Sequence, residues 1–241
     1  MVDSLPSLSS FQVLRVLQLE DCGDLHDNCF NDLGKLHHLR FLRLGYCRQI
    51  PESIGKLESL EILEITGIGE TLMLPMSFAK LQKLVRLSGY DGVRFHVGLL
   101  LGDMKSLQEL EVVHIRSMEE LKEIGSLKEL RALRIDISGE MAVETIFMCL
   151  HRRTNLKKPD INTSNEGCIL CSLDCMPLVP SGLQRLKFSG ASFPKWINSL
   201  TLSCLTTLII MFCEAPQSEH LEKLAELPSL RFFCLWLRLE T

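Results

Sequence analysis

The sequence has no surplus of charge of either sign. Its 26 Lys+Arg do not outnumber its 30 Asp+Glu, and the formal net charge is −4. A general nucleic-acid binder needs a basic surplus, so none is expected here. No apolar run approaches the ~18 residues of a membrane span. The opening Met1-Val2-Asp3-Ser4-Leu5-Pro6 has neither the basic segment nor the apolar stretch of a secretory signal. The expected location is therefore cytoplasmic. The ten cysteines then read as reduced thiols rather than a disulfide framework. For the same reason the acceptor pattern Asn162-Thr163-Ser164 is expected to stay unglycosylated. Disorder is excluded, because 46% of residues are hydrophobic. The 241 residues suffice for one elongated domain or two small ones. No Ser/His/Asp or Cys/His constellation and no carboxylate pair stands out, so no enzyme and no cofactor is expected. Aromatics are scarce at 6%, whereas leucine supplies 46 residues, an excess that suggests one stripe written repeatedly.

The excess resolves into a repeat. The pattern L-x-x-L-x-L-x-x-[C/N/I] appears as Leu14-Leu17-Leu19-Cys22, Leu39-Leu42-Leu44-Cys47 and Leu60-Leu63-Ile65-Ile68. It continues through Leu107-Leu110-Val112-Ile115, Leu130-Leu133-Ile135, Leu183-Leu186-Phe188-Ala191, Leu205-Leu208-Ile210-Cys213 and Leu230-Phe233-Leu235. Two copies are degraded, Leu84-Leu87-Gly89 and Leu156-Pro159-Ile161. First leucines at 14, 39, 60, 84, 107, 130, 156, 183, 205 and 230 recur at a mean interval of 24 residues, since 216 residues span nine intervals. This is the leucine-rich repeat in about ten copies. It predicts an α/β solenoid of horseshoe type, with a parallel sheet on the concave face and short helices and turns on the convex face. Alternation with period 2 points the second and third leucines into the core and the residues between them outward. Burying one such leucine is worth about 1.5–3 kcal/mol, and only a neighbouring repeat can cover it. Cys22, Cys47 and Cys213 fall where the chain turns inward after the strand and are expected to be structural.

A second motif precedes the strands: Leu33-Gly34-Lys35-Leu36, Ile54-Gly55-Lys56-Leu57, Phe78-Ala79-Lys80-Leu81, Leu101-Gly102-Asp103-Met104, Ile124-Gly125-Ser126-Leu127 and Leu224-Ala225-Glu226-Leu227. Its spacing suits a helical turn with a small residue where backbones crowd. The Gly-Lys pairs are not phosphate loops, because the upstream glycine and the following Ser/Thr are missing.

These residues carry a family likeness. Leu14-Arg15-Val16-Leu17-Gln18-Leu19-Glu20-Asp21-Cys22 and Ile50-Pro51-Glu52-Ser53-Ile54-Gly55-Lys56-Leu57 resemble the repeats of plant intracellular nucleotide-binding leucine-rich-repeat disease-resistance receptors. Leu81-Gln82-Lys83-Leu84-Val85-Arg86-Leu87, Met104-Lys105-Ser106-Leu107-Gln108-Glu109-Leu110 and Phe193-Pro194-Lys195-Trp196-Ile197 look like cereal members of the coiled-coil type. The resemblance implies a repeat domain that senses pathogen effectors and restrains a nucleotide-binding domain at rest. Neither a coiled-coil nor a nucleotide-binding domain is expected within this chain, where repeats begin in the first fifteen residues. The expectation is a single repeat domain over 1–241, as a truncated product or an excised domain. The alternative is a stand-alone repeat scaffold, or a substrate-receptor subunit binding another intracellular protein.

The residue between the second and third leucine positions gives one outward row: Gln18, Arg43, Glu64, Ser88, Glu111, Arg134, Asp160, Lys187, Ile209 and Cys234. Arg43–Glu64 and the run Glu111–Arg134–Asp160–Lys187 are expected to alternate in sign along the sheet. Such a ladder reads as a self-paired, solvated face worth under ~1 kcal/mol per pair. The last two repeats differ, because Ile209, Met211, Phe212, Phe232, Trp236 and Leu237 form an apolar cluster there. Exposed apolar surface of this kind implies a partner, a covering tail or an aggregation liability. As a binding site it takes a protein, either a pathogen effector or the nucleotide-binding domain of a parent receptor, with Phe212, Phe232 and Trp236 as anchors and Arg134 and Lys187 as the charged surround. The first 120 residues carry 12 Lys+Arg and 17 Asp+Glu, hence −5 against +1 for the rest, and suit a basic docking face.

Cys168-Ile169-Leu170-Cys171 with Cys175 has a zinc-like spacing, and Cys149 and His151 lie upstream. No second clean pair accompanies it, so apolar packing is favoured over metal. His37-His38 reads as surface. Pro159 replaces a buried leucine and removes a ladder N–H. With the long intervals around it, it predicts a break in the sheet and an irregular segment over 139–182. Gly89 weakens the fourth repeat more mildly.

Overall fold

The period-2 alternation becomes strand wherever the repeat is intact. The computed structural model describes residues 8–20, 32–67, 72–96, 98–137, 143–151, 156, 158–163, 179–180, 182–190, 193, 196–212 and 217–237. Strands are β1 (Val16–Leu19), β2 (Phe41–Gly45), β3 (Ile62–Thr66), β4 (Leu72–Met73), β5 (Arg86–Arg94) and β6 (Glu109–Ile115). They continue as β7 (Ala132–Ile137), β8 (Lys158–Thr163), β9 (Arg185–Gly190), β10 (Thr207–Phe212) and β11 (Phe232–Leu237). Helices are α1 (Met118–Ser126), α2 (Val143–His151) and α3 (Ser218–Ala225). The chain divides into two compact units, residues 1–114 with 126–130 and residues 115–125 with 131–241.

In the first unit the strand order is β1-β2-β3-β5-β6, with β4 paired to the end of β5. In the second it is β7-β8-β9-β10-β11. Neighbours are parallel and follow chain order, which requires a convex crossover in every repeat. Register aligns the repeat leucines: Leu42 lies against Leu63 and Leu63 against Leu87, all three without exposed surface. In the second unit the core is partly aromatic. Trp196 is buried, with its ring 5.4 Å edge-on from Phe147 and 6.0 Å from Phe188.

The convex motif forms single helical turns at Leu33–Lys35, Glu52–Lys56, Met76–Lys80 and Leu101–Asp103. Its copies at Ile124 and Leu224 close α1 and α3 instead. Pro51 and Pro75 open two of these turns at φ −73° and −68°, angles that proline supplies without strain. Gly55 is required by close approach: a Cβ there would lie 2.6 Å from the backbone oxygen of Ser77 in the next turn. Successive turns are also tied by the Ser77 N–H, which donates to the Glu52 carboxylate at 3.0 Å. The Ser77 side chain holds the Glu52 carboxyl below the usual carboxylate range; desolvation opposes it, and the Ser77 and Met76 N–H groups and Lys80 add smaller lowering effects. A lowered folded value stabilises the fold above the unfolded value of about 4.3 and loses that contribution as pH falls through the folded value. In urea melts, the stability difference between the protein and Glu52→Gln is expected at neutral pH and should vanish in acid. A difference that grows in acid would reverse this sign.

Sequence irregularities have specific outcomes. Pro159 does not break the sheet, because β8 pairs with β7 through all six residues, Leu133 lying against Pro159. The irregularity is a two-residue slip on the other side, where Ile161 rather than Pro159 lies against Leu186. Around Gly89 the β5–β6 register jumps between Ser88 and Val93, so extra residues are accommodated as a bulge. Of the irregular stretch 139–182, the described part contains α2 and β8. The N-terminus of α1 carries a motif not singled out in the sequence, Ser117-Met118-Glu119-Glu120. Its carboxylate accepts the Arg116 and Ser117 N–H groups at 2.6 and 3.2 Å, while the Glu120 N–H donates to the Ser117 hydroxyl at 3.2 Å, a capping box.

Candidate protein-binding face

Leucines at alternate strand positions point into each core, and the intervening side chains form an open face. In the first unit this face is charged and paired. Arg43 donates from Nη2 and Nε to one Glu64 oxygen at 2.6 and 2.8 Å, and Arg86 pairs in the same way with Glu109. Glu64 lies in register with both Arg43 and Ser88. The row beside it is partly apolar: Val16 is exposed, and Phe41 and Ile62 are half-buried. Val16 aligns with Phe41 and Phe41 with Ile62. Strand parity puts both rows on one face, although in these repeats the sequence reading singles out only the position between the second and third leucines. At its end Tyr46, with φ +52° and a largely exposed side chain, lies over Gly67, whose φ is +65°. A Cβ on Gly67 would stand 2.7 Å from the tyrosine ring.

In the second unit the predicted anchors lie on the adjacent strands β10 and β11. Met211 aligns with Trp236, Thr207 with Phe232 and Ile209 with Cys234. These rows alternate with buried Leu208 and Ile210, so Ile209, Met211, Phe232 and Trp236 share the open face. Phe232 is 53% and Trp236 59% exposed, whereas Ile209 and Met211 are half-buried. Phe212 aligns with Leu237. Leu237 is exposed, as is Phe233 two rows before it, because β11 is the terminal strand of its sheet.

The charged surround is rearranged by the slip between β8 and β9. Arg134 lies against Asp160 as expected, with Nε 3.6 Å from Oδ2. The other neighbour of Asp160 is Arg185, not Lys187, with Nη1 3.8 Å from the same oxygen. Lys187 lies instead between Asn162 and Ile209. Arg185 was missed because Pro159 had been aligned with Leu186. Asn162, the expected unused acceptor, donates from its side chain to Asp136 at 2.6 Å.

The remaining sequence candidates are placed as follows where they are described. Cys47 is buried, its thiol 3.8 Å from the Gly45 carbonyl. Cys22, Cys213, Cys168, Cys171 and Cys175 lie outside the described residues. Cys149 is a free, half-buried thiol, and His37 and His38 are exposed. Among the described residues no group of three or more His, Cys, Asp or Glu is placed to hold a metal ion. No helix among them is long and apolar enough to cross a membrane.

A parallel sheet of leucine-patterned strands joined by crossovers, most of them helical among the described residues, and with its open strand face presented outward, defines a leucine-rich-repeat protein. The leucine-rich repeat region family matches residues 1–241, and the chain belongs to it. The chain is similar to the disease resistance protein RGA5 of Oryza sativa subsp. japonica, 25% identical over 98% of this chain and 22% of that protein. It is also similar to the rice disease resistance protein Pik-2, 28% identical over 92% of this chain and 26% of that protein. It thus spans about a quarter of these relatives. Among solved structures, the ectodomain of the Arabidopsis thaliana receptor kinase GASSHO1/SCHENGEN3 shares the fold. Its TM-score is 0.54 at 17% identity, covering 96% of this chain and 30% of that one. The family's repeats are typically protein-interaction modules rather than catalytic ones.

Proposed function

We propose that the chain is the protein-recognition part of a plant innate-immune receptor, acting in the cytoplasm without catalysis. Its open, concave face binds a pathogen effector, and it contributes to holding the nucleotide-binding domain of a parent receptor inactive. The supporting observation is the apolar group of exposed Phe232 and Trp236 with half-buried Ile209 and Met211, on a strand face that also carries Arg134, Asp160 and Arg185, in a chain similar to disease resistance proteins. Aromatic side chains with so much accessible area are the type that carries binding energy once desolvated. Autoinhibition draws on the −5 balance of the first 120 residues, which suits a basic docking surface.

The double variant Phe232→Ala/Trp236→Ala tests the recognition reading. Truncating two anchors at about 2 kcal/mol or more each is expected to weaken effector binding at least several-hundred-fold. Both side chains are more than half exposed, so the circular-dichroism melt should barely move. Unchanged affinity of the folded variant for a bound effector would refute the assignment.

A further inference from the structure

We infer that the second unit's open face reads a mixed motif: an extended acidic segment bearing an aromatic or large aliphatic side chain three residues from its acid. This rests on the reading of that face as a protein-binding surface and names the chemistry it selects.

The argument starts from the register slip. It leaves one carboxylate, Asp160, between two arginines from neighbouring strands. Both approach the same oxygen, at 3.6 and 3.8 Å, beyond ordinary hydrogen-bond length and far from a two-pronged pair. Each guanidinium has five N–H donors, and the Arg134 and Arg185 side chains are 50% and 58% exposed. On the acidic side, Asp136 is engaged by Asn162 and Asp160 is shared. The described face therefore offers guanidinium donors in excess of carboxylate acceptors, and an incoming carboxylate is the complementary group.

The apolar half is continuous with this cationic half. Arg185 aligns with Thr207, and Thr207 with Phe232. Lys187 aligns with Ile209, one row from Met211 and Trp236. Strands stand about 4.8 Å apart, so Arg185 and Phe232 are separated by roughly 10 Å across the sheet. A chain in the polyproline II conformation covers that span in three residues at roughly 3.1 Å each, and its three-residue turn keeps positions i and i+3 on one side. A peptide crossing the strands thus places a carboxylate on the arginines and a hydrophobic side chain on Phe232 and Trp236 together.

The test uses the full 241-residue chain and fluorescein-labelled peptides in a Gly/Ser background, read by fluorescence anisotropy. One peptide carries paired Asp with Phe three residues on. A second has Asn for each Asp, a third Lys for each Asp, and a fourth Ser for Phe. The first is expected to bind about tenfold or more tighter than the second and fourth, with the charge preference fading as salt rises. Arg134→Glu/Arg185→Glu should abolish that preference and favour the Lys peptide, while Trp236→Ala weakens the Asp and Asn peptides alike. Equal binding of the Asp and Asn peptides, absence of Asp-peptide binding, or a preference that survives the arginine reversal in a protein with an unchanged melt overturns the inference. If the inference fails while effector binding still depends on Phe232 and Trp236, the recognition reading stands. If the peptides behave as expected but effector binding ignores those two side chains, the recognition reading falls instead.

Discussion

Trp196→Ala is expected to cost the second unit about 3–5 kcal/mol, the range for truncating a buried aromatic. The side chain is 2% exposed and joins α2 to β9, meeting Phe147 edge-on at 5.4 Å and Phe188 at 6.0 Å. Removing it opens a cavity bounded by two aromatic rings that backbone elements hold apart, so collapse recovers little. Against a typical stability of about 5–15 kcal/mol, that loss takes a large share of what keeps the unit folded. Urea unfolding followed by far-UV circular dichroism measures it directly. Trp196→Phe supplies the contrast. Its indole Nε1 is buried and has no hydrogen-bond partner among the described residues. Phenylalanine keeps most of the apolar area and removes the unpaired donor, whose burial costs about 1–3 kcal/mol. The Phe variant should thus lose under about 1.5 kcal/mol. A Phe variant as unstable as the Ala variant would mean that the indole N–H carries stability after all.

Leu63→Ala is the corresponding expectation for the first unit, at about 2–5 kcal/mol. Leu63 has no exposed surface and lies in register between Leu42 and Leu87, which have none either. A repeat array distributes stability over nearest-neighbour interfaces, and this leucine belongs to two of them. Its sequence neighbour Ile62 faces the other way and is half-buried, so Ile62→Ala should cost well under half as much, scaled by the smaller area withdrawn from water. Chemical denaturation of the two variants side by side decides the matter. Similar losses would contradict the parity that organises the whole sheet.

That parity was legible in the residues because a strand has only two faces. Each Leu-x-Leu pair forces its two leucines to one side, and five path strands in each unit follow from ten copies. The convex turns were legible too, since the glycine or alanine at the crowded position marks where one turn lies on the next. The adjacency of Ile209, Met211, Phe232 and Trp236 followed from equal spacing in two consecutive repeats. Leu237, expected on the outside, is exposed. Val16, Phe41 and Ile62 escaped notice because a strand exposes more than one row.

Arg185 was a different kind of miss. A leucine pattern identifies which residues are strand, but register between two strands is set by backbone hydrogen bonds and by which side chains fill the core beneath them. Where proline replaces the aligned leucine, two registers differing by two residues preserve the same in-out parity, and the pattern is silent between them. The choice moves Lys187 off Asp160 and brings Arg185 onto it.

The regular spacing of the 46 leucines, not their number or what the sequence lacks, was enough by itself to determine a repeat protein. The cause is that each copy can bury its leucines only against another copy. Which cations stand beside which anion, and so what the open face can recognise, was decided only by tertiary structure, because cross-strand neighbours are created by register and have no counterpart in sequence spacing.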